Sequence, residues 1–236
     1  RFSARGGALI NVKHLSHSFD HQWALKNVSL HIHPGEFVFV TGPSGAGKTT
    51  LLRVLHGALE VHRGEAAVAG FDLKRLSKRK LPLLRRKVSV VFQDFKVLHD
   101  RSVAENVACP LEVAGMERSK IRKRVNAVIR GLGLERKSDL KCAALSGGEQ
   151  QRVAIARAIV INPRVLLADE PTGNLDEPLS MRLMEVFKQF NIHGTTVVIA
   201  THNKQILETK PEARLIHLLD GQLTNDAGAE DIEDLC

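Results

Sequence analysis

The stretch FVFVTGPSGAGKTTLLRVLHGAL, residues 37 to 59, decides the fold. Its first five residues do not alternate with polar ones, the pattern of a strand buried on both faces. From Thr49 onward the apolar residues recur at helical spacing. Between the two, GPSGAGKT, Gly42 to Thr49, fits the spacing G-x-x-x-x-G-K-[ST]. A strand, a glycine-rich turn and a helix in that order turn successive backbone N–H groups toward an anion at a helix start. Gly42, Pro43, Ser44, Gly45, Ala46, Gly47, Lys48, Thr49 and Thr50 are therefore candidate polyphosphate contacts. Lys48 would reach the β and γ phosphates, and Thr49 would offer its hydroxyl to Mg²⁺.

Three more buried-strand runs lie downstream: VSVVF (88 to 92), VLLA (165 to 168) and TTVVIAT (195 to 201). With helical stretches between them they predict an α/β fold, a mostly parallel sheet with helices on both faces. IRKRVNAVIRGLGL shows the helical pattern, with Ile121, Val125, Val128, Ile129 and Leu132 on one stripe. Shorter runs near the amino terminus (INVKHL, VSLHIH, EAAVAGF) are broken by Gly, Pro, Asn and Asp and predict a small antiparallel β layer. The expected layout is a single domain, 1 to 236. Its antiparallel layer covers about 8 to 75, interleaved with the parallel core. A helical insertion covers about 94 to 158, core again 159 to 223, and an acidic tail 224 to 236.

Polar groups collect where the buried strands end. VLLADE finishes in Asp169 and Glu170, and adjacent strand residues point to opposite sides, so the two acids have different jobs. Asp169 suits Mg²⁺, and Glu170 suits a water molecule as general base. VSVVF leads to Gln93, able to bridge metal and water, and TTVVIAT leads to His202, able to donate to a γ phosphate. In an open parallel sheet ligands bind beyond the carboxyl ends of the strands, so these groups can converge on one phosphate. A second anion-binding helix start lies in LSGGEQQRVAIARA: Ser146 and Glu149 form a capping box, and Gly147 and Gly148 bare the first N–H groups.

Taken together these segments resemble the nucleotide-binding subunit of an ABC transporter over nearly the whole chain. GPSGAGKT resembles the Walker A loop, Gln93 the Q-loop, LSGGEQ the signature sequence, VLLADE the Walker B strand, GNLD (173 to 176) the D-loop and His202 the switch histidine. The resemblance implies a RecA-like P-loop core with an antiparallel β subdomain and a helical subdomain. It also implies Mg²⁺-dependent ATP hydrolysis and a head-to-tail homodimer formed on ATP binding, in which Ser146, Gly147, Gly148 and Glu149 of one copy face the ATP held by the other. Adenine would stack on Phe19, where the family usually has Tyr; this chain has none, and Trp23 is a neighbouring candidate. Asn203 stands where an acid often follows the switch histidine. ADEPTGNLD is similar to the branch containing lipoprotein-release, macrolide-export and cell-division ATPases, and residues 81 to 115 are most similar to its cell-division members. That branch implies an integral-membrane partner subunit, peripheral attachment at the cytoplasmic face of the membrane, and Phe95, Val97 and Leu98 as candidates for the partner's docking groove or for ordinary core.

Composition sets the outer limits. The 236 residues are 43% hydrophobic and 25% charged, enough to bury a core. No run reaches the roughly 18 uninterrupted apolar residues of a membrane span, which predicts a soluble chain. RFSARGGAL lacks the apolar segment of a secretory signal, and Cys109, Cys142 and Cys236 fit no disulfide framework, so a reducing compartment is expected. The net charge is +8, and the last twelve residues hold Asp226, Glu230, Asp231, Glu233 and Asp234, leaving the body at +13. Such a body suits a polyphosphate, an anionic membrane or a nucleic acid. A nucleic-acid-linked ATPase of this family would usually carry a second cassette or long insertions, so no nucleic-acid partner is expected. Eight lysines and arginines and no acid occupy Lys74 to Lys87, a run suited either to anionic headgroups or to a solvated face. His17 with His21, and His31 with His33, lack further ligands, so no metal beyond Mg²⁺ is expected.

Overall fold

The computed structural model describes residues 7–92, 94–173 and 175–227. Two sheets and a helical layer make up the molecule. A six-stranded sheet has the order β10-β9-β3-β8-β7-β6, with β3 (Phe37–Thr41), β6 (Val88–Val91), β7 (Val165–Asp169), β8 (Thr196–Ala200) and β9 (Arg214–Leu219) parallel and β10 (Gln222–Ala227) antiparallel at one edge. A four-stranded antiparallel sheet, β2-β1-β4-β5, is built from β1 (Ile10–Phe19), β2 (Gln22–Ile32), β4 (Arg63–Val68) and β5 (Phe71–Asp72). The four buried runs picked out in the sequence are all core strands.

Their lack of alternation has a direct cause. In β3, Val38 and Val40 pack into the core shared with the antiparallel sheet and helix α1 (Lys48–Leu55), while Phe37 and Phe39 pack into the core on the opposite face. β7 and β8 divide in the same way, Leu167 and Val198 to one side, Leu166 and Val197 to the other. Helix α6 (Glu177–Ile192) covers that second face with Leu183, Met184 and Phe187, and α7 (Lys204–Glu208) adds Ile206.

Helices α3 (Val103–Val113), α4 (Arg118–Gly131) and α5 (Gly147–Ile159) surround a third core that includes Val107, Ile121, Val125, Ile129 and Val153. α5 serves two cores at once: Ile155 and Ile159 face the parallel sheet, whereas Val153 and Ala156 face α3 and α4. Val128 and Leu132, on the expected α4 stripe, likewise touch both cores.

Three features depart from the sequence reading. Helix α1 stops at Leu55 and is followed by His56 as C-cap and Gly57 at φ 68°, short of the pattern that ran to Leu59. The β9–β10 hairpin was not anticipated, although Asp220-Gly221, both at positive φ (49° and 78°), is the two-residue turn that a hairpin demands. Consequently Thr224–Ala227, expected in the acidic tail, belong to the sheet, where both carboxylate oxygens of Asp226 are held by Arg214 at 2.6 and 2.7 Å. The remainder of that tail, 228 to 236, lies outside the described residues. His17 and His21, whose four-residue separation would suit one face of a helix, lie instead in β1 and in the turn after it. A short helix, α2 (Leu81–Lys87), precedes β6 and is anchored by the fully buried Leu84.

Candidate functional site

β3 delivers the chain to Gly42 at the carboxyl edge of the parallel sheet. The loop that follows is squeezed between two backbones, and this explains its composition. A Cβ at Gly42 would meet the Leu218 carbonyl oxygen at 2.1 Å, and one at Gly47 the Ala24 carbonyl oxygen at 2.4 Å. Both glycines also sit at positive φ, 136° and 101°. Pro43, Ser44 and Gly45 are exposed, while Ala46 is buried under the turn. Lys48 is only 8% exposed, and its ammonium donates to the carbonyls of Gly42 (2.6 Å) and Pro43 (3.0 Å). The cation is thus held inside the loop that a polyphosphate would enter. Thr50, beside Thr49 at the start of α1, is half-buried.

The two acids at the end of β7 occupy different surroundings, as their alternation requires. Asp169 is 3% exposed and accepts a hydrogen bond from the Thr49 hydroxyl. Burial pushes its carboxyl above the usual range, with the Thr49 bond acting against that and the Glu170 charge adding to it. Glu170 leaves the strand at φ 46°, an uncommon conformation for a non-glycine residue and one that costs on the order of 1–3 kcal/mol. It is fixed there by its own N–H, which donates to Ala200 at 2.9 Å, and by its carbonyl, which accepts from Gly173 at 3.2 Å. The turn aims the carboxylate at His202, whose Nδ1 lies 2.7 Å from Glu170 Oε1. Lys48, Thr49, Asp169, Glu170 and His202 therefore form one edge cluster. Gln93 lies outside the described residues.

Ser146 to Glu149 are placed differently. Ser146 accepts from the Glu149 N–H at 3.4 Å and its own N–H donates to Glu149 Oε2 at 3.0 Å, the reciprocal cap expected from the spacing. The other Glu149 oxygen pairs with Lys137, which, with the cap, holds this carboxyl below its usual range. Both Glu149 oxygens are thus engaged within their own chain. Ser146 and Gly147 are exposed and Gly148 partly so, leaving the first N–H groups of α5 open to solvent. Among the described residues no hydrogen bond or ion pair joins Ser146–Glu149 to residues 42–50.

Phe19 and Trp23 are both exposed at the tip of the β1–β2 hairpin, 45% and 43%. The Arg63 guanidinium lies over the Trp23 ring at 5.1 Å, whereas Phe19 makes an edge contact with the His17 ring at 4.8 Å and carries no cation over it among the described residues. Phe19 is thus the better placed stacking ring.

Two residues that sequence reasoning passed over hold this site together. Gln151, 1% exposed on α5, donates to the Pro171 carbonyl and so ties the helix of LSGGEQ to the turn carrying Glu170. Asn106, fully buried, clamps the segment after Gln93 by exchanging hydrogen bonds with the Leu98 backbone at 2.8 and 3.0 Å. Neither stands out in a linear reading, because a Gln or Asn on a helix is ordinarily a surface residue. Asn203 has a local explanation: it caps α7 by accepting from the Gln205 N–H at 3.0 Å, a task at which Asn and Asp are equivalent.

With this geometry in view, residues 25–173 match the protein family described as ABC transporter. The chain belongs to that family. Similar curated proteins are the cell division ATP-binding proteins FtsE of Streptococcus pneumoniae serotype 2, 48% identical over 86% of this chain and 88% of theirs, and of Escherichia coli K12, 44% identical over 94% and 100%. Among solved structures, the dimeric ATP-binding cassette MJ0796 in a post-hydrolysis state with ADP and phosphate matches with a TM-score of 0.87 at 35% identity, over 93% of this chain and 98% of that one. The fold is the P-loop ABC cassette, and this ABC protein binds and hydrolyses ATP as the ATP-binding subunit of an ABC complex. No helix among the described residues is long and apolar enough to cross a membrane.

Proposed function

We propose that this chain is the ATPase of a cell-division complex of the FtsE–FtsX kind. It would attach peripherally to the cytoplasmic face of the membrane through an FtsX-like integral-membrane partner and pass ATP-driven movement across the bilayer to the control of peptidoglycan hydrolases. The similarity to FtsE proteins along nearly the full chain supports this output. The observation that carries the catalytic reading is the Glu170–His202 pair at 2.7 Å beside the loop that encloses Lys48.

In this reading the Gly42–Thr50 backbone and Lys48 bind the β and γ phosphates, and Phe19 stacks on adenine. Thr49 and Asp169 are hard oxygen donors already in contact with one another, a pair that fits Mg²⁺, with Gln93 as a further ligand. Mg²⁺, when bound, offsets negative charge on the phosphate oxygens. Glu170 takes the proton of the attacking water as its oxygen bonds to the γ phosphorus and the bond to the β–γ bridging oxygen breaks. With both ring nitrogens protonated, His202 orients that carboxylate by donating from Nδ1 and donates from its other nitrogen to the γ phosphate.

The likeness to a dimeric ATP-binding cassette supports a homodimer in which Ser146, Gly147 and Gly148, exposed or partly exposed in this chain, complete the partner copy's site. Glu149 then shapes the helix start instead of touching nucleotide, since its carboxylate is spent on the cap and on Lys137. Of the three apolar candidates for membrane-partner docking, Val97 is 7% exposed and belongs to the helical core, with Phe95 packed against it, so Leu98, 39% exposed, is the one presented outward.

The test is to introduce single cysteines at Ser146 and at Ser44 in separate copies and mix them in the presence of a non-hydrolysable ATP analogue. Intermolecular crosslinking that depends on nucleotide is expected. Crosslinking that ignores nucleotide, or none at saturation, contradicts the shared site. Detergent extraction of the tagged chain should recover an integral-membrane protein, and recovery of none contradicts the proposed output.

A further inference from the structure

The segment Lys74–Lys87 takes no part in the site described above, yet it concentrates charge to an extent matched nowhere else in the sequence. No acid occurs between Asp72 and Asp94. All eight lysines and arginines from Lys74 to Lys87 are exposed. Arg75 makes only a long contact, 3.9 Å, with Asp72. From Lys78 onward, none of the six bases is ion-paired to a carboxylate among the described residues. Like charges left unbalanced on one surface repel, and an anionic counterpart relieves that repulsion.

Helix α2 gives the charges a fixed platform. Leu84 is fully buried and anchors it, so its neighbour Leu83 is turned outward and is 47% exposed. Arg86 donates to the Val113 carbonyl at 3.0 Å, which brings the end of α3 alongside, and the Val113 side chain is 66% exposed. Two aliphatic side chains thus stand among unpaired cations on adjoining elements. Phe71, the ring nearest in sequence, is already covered by the Lys87 ammonium at 5.2 Å.

We propose that α2, the basic turn before it and the end of α3 form a surface that binds anionic lipid headgroups directly, with Leu83 and Val113 entering the acyl boundary. A bilayer interface rewards this combination, because bases meet headgroup phosphates while short apolar side chains leave water just beneath them. Nucleic acid fits less well: Phe71, the ring beside this surface, is covered by Lys87, and a seven-residue helix offers little to a groove. The surface adds a contact to the membrane attachment proposed above and is tested without a membrane partner, so either idea can fail alone.

The experiment is co-sedimentation of the purified full chain with vesicles of equimolar phosphatidylglycerol and phosphatidylethanolamine, against vesicles of phosphatidylcholine. Binding to the first and not the second is expected, weakening as salt rises. Each base held at an anionic surface strengthens binding about fivefold, so the triple variant Lys78→Glu, Arg79→Glu, Lys80→Glu, which removes three bases and adds three acids, should bind more than about a hundredfold more weakly. The milder Lys78→Gln, Arg79→Gln, Lys80→Gln should follow in the same direction, and unchanged ATP binding by both certifies their folding. Leu83→Ser with Val113→Ser should lower the binding that survives at high salt. Failure of the wild-type chain to bind anionic vesicles, full binding by the glutamine variant, or tighter binding of short duplex DNA through the same three residues would overturn the proposal.

Discussion

The two ends of the proposed ATP site are built on opposite principles. The phosphate loop rises from strands whose every residue is buried, and its side chains are committed before ligand arrives: Lys48 to the Gly42 and Pro43 carbonyls, Asp169 to Thr49, Glu170 to His202. The signature segment rises from a helical layer and presents exposed backbone N–H groups to solvent, with its cap residues satisfied among themselves. One end is a finished cradle. The other is an exposed donor face, which a second molecule would meet in the proposed homodimer.

Removing chemistry from the cradle should have the largest effect. Glu170→Gln is expected to lower turnover by about 10²–10⁴-fold while nucleotide still binds and a dimer accumulates on gel filtration. Turnover at the wild-type rate would take Glu170 out of its role. Next comes the platform itself: Phe39→Ala empties a fully buried position and should cost about 3–5 kcal/mol in denaturant unfolding. A loss under 1 kcal/mol would mean that the parallel sheet does not depend on this packing.

The contrast between the two ends is sharpest in a pair of variants. Lys48→Ala should weaken ATP binding to the isolated chain about 10- to 100-fold, the worth of a charge-assisted phosphate contact. Gly148→Asp, which places a negative charge at the open helix start, should leave that affinity alone and abolish nucleotide-dependent dimerisation. Equal affinity losses in the two would erase the distinction.

Asp169→Asn gives a smaller effect of opposite sign. Burial raises the Asp169 pKa in the folded chain, so the proton is bound more tightly there than in the unfolded state. Any stabilisation from that proton is present at acid pH and is lost as pH rises through the folded-state value, above which the buried carboxyl carries a charge. The asparagine variant should therefore melt a few degrees higher than wild type at neutral pH without nucleotide, about 2–4 °C per kcal/mol for a chain of this size, and should lose Mg²⁺-dependent turnover. A lower melting temperature would show the carboxylate to be stabilising. Smallest of all, Asn203→Asp should change stability by less than about 0.5 kcal/mol, because the cap survives.

Legibility followed how local each signal is. Gly42 to Thr49 could be recognised because turn, anion site and helix start are encoded in eight consecutive residues, and the Ser146–Glu149 cap because both of its bonds span three. Asp220-Gly221 was equally local, and its hairpin was readable though passed over, at the cost of assigning Thr224–Ala227 to the tail. Gln151 and Asn106 were not readable in the same way, for their partners are 20 and 8 residues away and their burial depends on other elements.

The sequence by itself determined that four buried strands end in groups fit for a nucleoside triphosphate, because strand periodicity, capping and glycine placement are short-range properties. Only the tertiary structure decided that Glu170 turns out of its strand to meet His202, that Arg63 lies over Trp23 while Phe19 meets His17, and that Glu149 is consumed by Lys137. Those outcomes depend on which backbones and charges arrive from distant parts of the chain, and spacing along a polypeptide carries no record of such arrivals.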